Sequence, residues 1–270
     1  MPSSFRNIFA LSVFVLLTIN GFSSAFSDTL WNQTDENGWK QGWWEKDYPN
    51  GKPLYKGYFL DNKPLGKMLR FYDDGNLRAE LIYIEKSEIT YASLYFKNAQ
   101  KGAEGKYNKQ MRDSIWNFYS YYTGNLSYRE SYVMGLKVGP AIKYYSAGGK
   151  AEVIFWKDDL KNGQWEQYYD DSTLRLSSHH VMDKIHGPYK VYNRNNILML
   201  EGNYLNGSQD GEWKFYDEEG NLQRSLSYKE GEILDKEEME KWVKEFVDEI
   251  EKNNGKIPEP DFDNFFERKP

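Results

Sequence analysis

A glycine recurs at positions 42, 66, 139, 163, 187 and 211, in steps of 24, 73, 24, 24 and 24 residues. No other feature of the chain constrains its fold as tightly. The long step equals three periods with one inserted residue, which places the missing anchors at Thr90 and Ser114. DSIWNFY at 113–119 then aligns with DGEWKFY at 210–216. Eight copies result, and their other columns fall into register. Two residues past the anchor stand Trp44, Met68, Ala92, Trp116, Ala141, Trp165, Tyr189 and Trp213. Five past it stand Asp47, Phe71, Tyr95, Tyr119, Tyr144, Tyr168, Tyr192 and Tyr216. Seventeen past it stand Phe59, Tyr83, Tyr107, Trp156, His180, Tyr204 and Tyr228, with Tyr132 displaced by the insertion. Nine past it, Gly51, Gly75, Gly148 and Gly220 mark a turn, and Ser172 and Asn196 stand in related roles.

Each copy reads as a β-hairpin. Aromatic and β-branched runs flank DDG, DEEG or SAGG, sequences that tolerate the positive φ of tight turns. A second polar turn, Lys-Asn-Gly at 161–163 or Gln-Asp-Gly at 209–211, is expected between copies. Aromatics are 17% of the chain while all hydrophobic residues are 39%, so the apolar surface sits largely in rings with polar edges. That suits a thin sheet better than a thick two-layer core. The expected fold is mainly β: an elongated single-layer antiparallel sheet of tandem hairpins with a C-terminal amphipathic capping helix. Sixteen strands at roughly 4.8 Å each make a sheet about 75 Å long. The columns two and five past the anchor differ in parity. Either the strand bulges between them or both faces carry rings.

The pattern G-x-W-x-x-Y-x-x-x-G-x-L resembles the MORN-repeat variant of YwqK-type antitoxin-family proteins, over roughly residues 38–233. That resemblance implies single-layer antiparallel sheets that serve protein assembly, sometimes with lipid contact. The antitoxin label implies neutralisation of a partner toxin in the cytoplasm, and the N-terminus departs from it. Residues 1–25 read as a signal peptide. Arg6 precedes the apolar run Ile8 to Ile19, and Ser23-Ser24-Ala25 offers small residues for cleavage after Ala25. The expected location is therefore secreted or periplasmic. The chain has no Cys, which excludes disulfides and thiolate metal sites.

The repeat array occupies 26–233. Residues 234–254 form the helix, with Met239, Trp242, Val243, Phe246, Val247 and Ile250 on one face. Asp235 and Glu238 have the spacing of a capping box, and Leu234 with Met239 that of a hydrophobic staple. The helix is expected to cover the last sheet edge, or else to dock a partner. Residues 255–270 are an acidic-aromatic tail. Residues 232–270 carry a net charge of −6, equal to the formal charge of the whole chain. The near-neutral array has no electrostatic grip on a phosphate backbone, so no nucleic-acid partner is expected. The acidic balance also argues against anionic membranes once the signal is removed.

No catalytic motif is present, and no cofactor or metal is expected. The only histidines are His179, His180 and His186. The first two point to opposite faces of a strand, and His180 occupies an aromatic column. The acid pairs Asp73-Asp74, Asp158-Asp159 and Asp170-Asp171 recur where turns are expected. The chain reads as a non-enzymatic scaffold for an unidentified protein partner. The candidate contact residues are Trp116, Trp165, Tyr189 and Trp213 with Tyr119, Tyr144, Tyr168, Tyr192 and Tyr216. The competing role for any of these rings is to stack and hold adjacent hairpins. The alternative function is a cell-wall or glycan-binding module, because choline-binding repeats are also aromatic hairpins with Gly turns.

Overall fold

A computed structural model describes residues 30–253. Residues 1–25, expected as a signal peptide, and the 255–270 tail lie outside the described residues. The described residues form one antiparallel sheet of 20 strands and a single helix, Lys236–Asn253. Each long strand pairs with the next long strand in sequence, so the sheet is a continuous meander; Leu136–Lys137 and Lys184–Ile185 pair with the same preceding strand as the long strand that follows each of them. The first copy contributes Lys40–Asp47 and Pro53–Leu60, the second Lys63–Phe71 and Leu77–Tyr83. The eighth contributes Ser208–Tyr216 and Leu222–Lys229. Two-residue strands close the ends: Gln33–Thr34 pairs with the first strand and Glu232–Ile233 with the last. Such short edges offer little template for pairing with another chain.

Turn chemistry explains the hairpins. The residue nine past the anchor takes positive φ in seven copies: Gly51, Gly75, Ala99, Gly148, Ser172, Asn196 and Gly220. In the fourth copy Gly124, ten past the anchor, does the same at φ 71°. The Ser120 amide there bonds to the Asn125 carbonyl, while Tyr72 in the second copy reaches only to Asn76. The inserted residue therefore lies in this loop, where an extra residue leaves both strands in register.

The turns between copies are displaced from the expected sites. Asp61-Asn62, Asp158-Asp159 and Asn206-Gly207 hold positive φ at both positions, the signature of two-residue type I′ turns. Residues 161–163 and 209–211 instead lie inside the strands Leu160–Tyr168 and Ser208–Tyr216. Their glycines, Gly163 at φ 120° and Gly211 at φ 78°, sit in bulges. Ile154 to Trp156 spans two steps while the facing Lys161 to Trp165 spans four. The Gly signal was right about backbone conformation, but a bulge needs positive φ as much as a turn does.

A second bulge falls between the residues four and five past the anchor in all eight copies. The anchor itself faces the ring seventeen residues on: Gly66 opposite Tyr83, Gly187 opposite Tyr204, Gly211 opposite Tyr228. Thr90 likewise faces Tyr107, but the bulge between copies is missing there. Tyr83 faces Thr90 with no register shift between the second and third copies.

The helix does not cover the sheet edge. Met239 packs against Trp213, Leu226 and Tyr228, and Trp242 lies 6.0 Å from Phe215 and 5.0 Å from the Arg224 guanidinium. These contacts place it against the face of the last hairpin. The Asp235 carboxylate accepts from the Ser227 amide at 2.5 Å, so it ties the helix to the preceding strand and leaves the capping box open. Val243, Phe246, Val247 and Ile250 remain exposed.

Candidate functional site

The sheet has two faces with different chemistry. On one, rings two and seventeen past the anchor alternate between neighbouring strands. Tyr204 lies 5.1 Å from Trp213 and 5.3 Å from Tyr189, and Trp213 lies 6.0 Å from Tyr228. Trp165 joins the row 6.5 Å from Tyr189. Trp116 is fully buried and Trp213 is 2% exposed. Their indole N–H groups donate to the Lys106 and Asn203 carbonyls. Of the four candidate contact rings in this column, these two are closed to a partner and hold hairpins together. Trp165 and Tyr189 are half-buried.

The flat fit of these rings depends on glycine. A Cβ on Gly105 would stand 2.3 Å from the Trp116 ring, and one on Gly202 would stand 2.2 Å from Trp213. Where the column carries Ala92, the facing residue is Leu81. Large rings meet glycine and alanine meets leucine, so total volume is kept.

The five-past column lies on the opposite face, so both faces carry rings. Tyr119 donates to Glu104 at 2.5 Å, Tyr168 to Glu166 at 2.5 Å and Tyr216 to Glu201 at 2.8 Å. Burial first, then the neighbouring carboxylate, pushes the Tyr119 and Tyr168 phenols up to about 12. They stay protonated donors. Tyr144 and Tyr192 are half-buried in the same column.

A further column, six past the anchor, was not singled out in the sequence. Tyr48, Tyr72, Tyr145 and Tyr169 donate to the carbonyls of Phe71, Tyr95, Tyr168 and Tyr192, at 2.9, 2.7, 2.6 and 2.9 Å. Each bond crosses from one copy to the next. The doublets Tyr144-Tyr145 and Tyr168-Tyr169 were its visible trace.

The exposed apolar surface belongs to residues outside the expected columns. Tyr91 and Ile115, each one past its anchor, are 51% and 53% exposed, and Ile82 opposite Tyr91 is 41% exposed. They line a concavity of about 720 Å³ with Glu80, Lys106 and Arg129. Trp43, also one past its anchor, is exposed and packs on Trp31 and Tyr58. In later copies the same position holds Pro140, Gln164, Pro188 and Glu212.

The acid pairs are turn residues. Asp73 pairs with Lys97 at 3.0 Å, and Asp170 pairs with Arg194 at 2.5 Å. Each pair joins the loops of adjacent copies. Both carboxyls are held below the usual range, first by the hydrogen bond to their cation. A general acid needs the reverse shift. His180 is 6% exposed beside Trp165, and the His186 Nδ1 accepts from the Asn206 amide. Among the described residues no three His, Asp or Glu side chains converge as a metal site, and no helix is long and apolar enough to cross a membrane.

An open sheet of stacked hairpins, each burying its rings against its neighbours, defines a repeat protein. Comparison with protein families agrees. The MORN repeat variant matches residues 64–85, 185–206 and 209–230, the second, seventh and eighth copies. The chain matches no curated protein.

Proposed function

We propose that this chain is a non-enzymatic scaffold that binds a protein partner through the apolar concavity of its second to fourth copies. One observation supports the reading above the rest. Ile82, Tyr91 and Ile115 stand 41%, 51% and 53% exposed on the face opposite the buried ring row. A contiguous wet apolar patch with a charged rim is the usual form of a protein contact surface. The rim is balanced: Lys106 is engaged by Asp113 at 2.7 Å, and Arg129 donates to Asn117 at 2.9 Å. That favours a protein over an anionic bilayer, which would need free cations. The signal-like N-terminus puts the partner outside the cytoplasm. A toxin neutralised there is one form the partner could take.

The test uses residues 26–270 as bait in an envelope extract from the native source, beside a Tyr91→Ser/Ile115→Ser variant. The expected result is one stoichiometric protein held by the native chain and lost by the variant, at unchanged melting temperature. Equal capture by both chains, or flotation of the native chain with liposomes in place of protein capture, overturns the proposal.

A further inference from the structure

The ring row breaks at the fifth copy. Ala141 stands where Trp116 and Trp165 stand in the copies on either side, and the residue it meets across the strand, Ile154, is smaller than the indole that is missing. The residue before it in the row is Glu130, 5% exposed, whose carboxylate is drawn to Lys137 at 2.6 Å and to the Tyr132 hydroxyl. A cavity of about 430 Å³ opens beyond it, lined by Tyr128, Glu152, Trp156, Lys161, Trp165 and His180 together with the aliphatic Ile154 and Ile185.

The lining is unusual for a row whose business is packing. Trp156 Nε1 and His180 Nδ1 are buried and have no hydrogen-bond partner. An unsatisfied buried polar atom costs stability, so two on one cavity wall point to a bound group that completes them. Glu152 Oε1 accepts from Trp165 Nε1 at 2.8 Å and from Gln167 Nε2 at 3.2 Å, which fixes the carboxylate and leaves its second oxygen for a ligand donor. Burial first, then Lys161, holds the His180 imidazole below its ordinary value, so it is neutral at pH 7.

The set contains one carboxylate, one ammonium, one neutral imidazole and one indole N–H among aromatic and aliphatic walls. An anion would meet Glu152 and a cation would meet Lys161. The matching ligand is neutral overall, presents hydroxyls that both donate and accept, and has an apolar C–H face for the rings. We propose that this cavity binds a saccharide residue. It lies on the ring face, distinct from the concavity of the second to fourth copies, and does not depend on that surface having a partner.

Calorimetry on the 26–270 chain, with intrinsic fluorescence of Trp156 and Trp165 as a second readout, tests the proposal. The probes are glucose, galactose, mannose, N-acetylglucosamine, cellobiose and chitobiose, with choline and benzoate as charged controls. At least one sugar is expected to saturate at one site per chain. Glu152→Gln and Lys161→Met should each weaken it about ten- to a hundredfold, the effect of losing one charge-assisted hydrogen bond, at unchanged melting temperature. Tyr91→Ser/Ile115→Ser should leave sugar affinity intact, which separates this site from the protein-binding surface. No saturable binding by any of the six sugars overturns the proposal. So does sugar binding that both cavity variants retain, or saturation by choline or benzoate alone.

Discussion

Trp213 lies flat where Gly202 leaves no side chain, and that pairing shows how single residues set the thickness of the sheet. Gly202 has ordinary φ, so its role is space, not backbone freedom. Gly202→Ala should push the Trp213 ring off its neighbours and cost about 1–3 kcal/mol, read by urea unfolding. His180 gives a pH signature. Its ring titrates below 6.5, so between that lowered value and 6.5 the unfolded chain binds more protons than the native one. The corresponding stability is complete above pH 6.5 and is lost as pH falls through the folded value. His180→Tyr, which restores the column's usual residue, should flatten the melting-temperature profile between pH 7 and pH 5. A profile unchanged by the substitution would show that the imidazole is not held neutral. Tyr72→Phe should remove one inter-copy hydrogen bond and about 1 kcal/mol.

At the scale of the hairpin, the working unit is a pair of facing positions and not a single column. Trp213→Ala alone should cost about 3–5 kcal/mol, the range for emptying a buried aromatic site. Adding Gly202→Leu copies the natural Leu81 and Ala92 pair and should recover part of that loss. A double variant no more stable than Trp213→Ala would argue against volume exchange across the strands. The helix is a weaker element. Met239, Trp242 and Glu245 tie it to the last copy through Trp213, Phe215 and Arg224, and Asp235 anchors its start. The sequence showed its apolar face, but that face is wider than the ground it stands on. Ending the chain after residue 234 should therefore lower stability modestly and leave the strand signature in circular dichroism intact.

Across the whole molecule, stability comes from neighbour contacts repeated along an open sheet. Roughly sixteen paired strands give a length of about 75 Å. Small-angle scattering should return a radius of gyration above the roughly 18 Å of a compact chain this long. A value at or below that figure would mean that the sheet curls into a closed body. The period, the eight copies, the one-residue insertion, the meander and the terminal helix were all legible in the sequence, because hairpin turns and alternating rings are local features. The exposed site was not. Thr90 and Ala92 depart from the glycine and the ring of their columns; the first departure removes a bulge and sets Ile82 against Tyr91, and the second is filled by Leu81. Sequence alone determined which residues share a column, since parity along a strand and the 24-residue step are properties of the chain. Tertiary structure decided which columns are dry, whether a glycine serves as turn, bulge or seat for an indole, and where the ring row leaves a cavity. Those outcomes depend on what stands across the strand, at a distance in sequence that bulges reset in every copy.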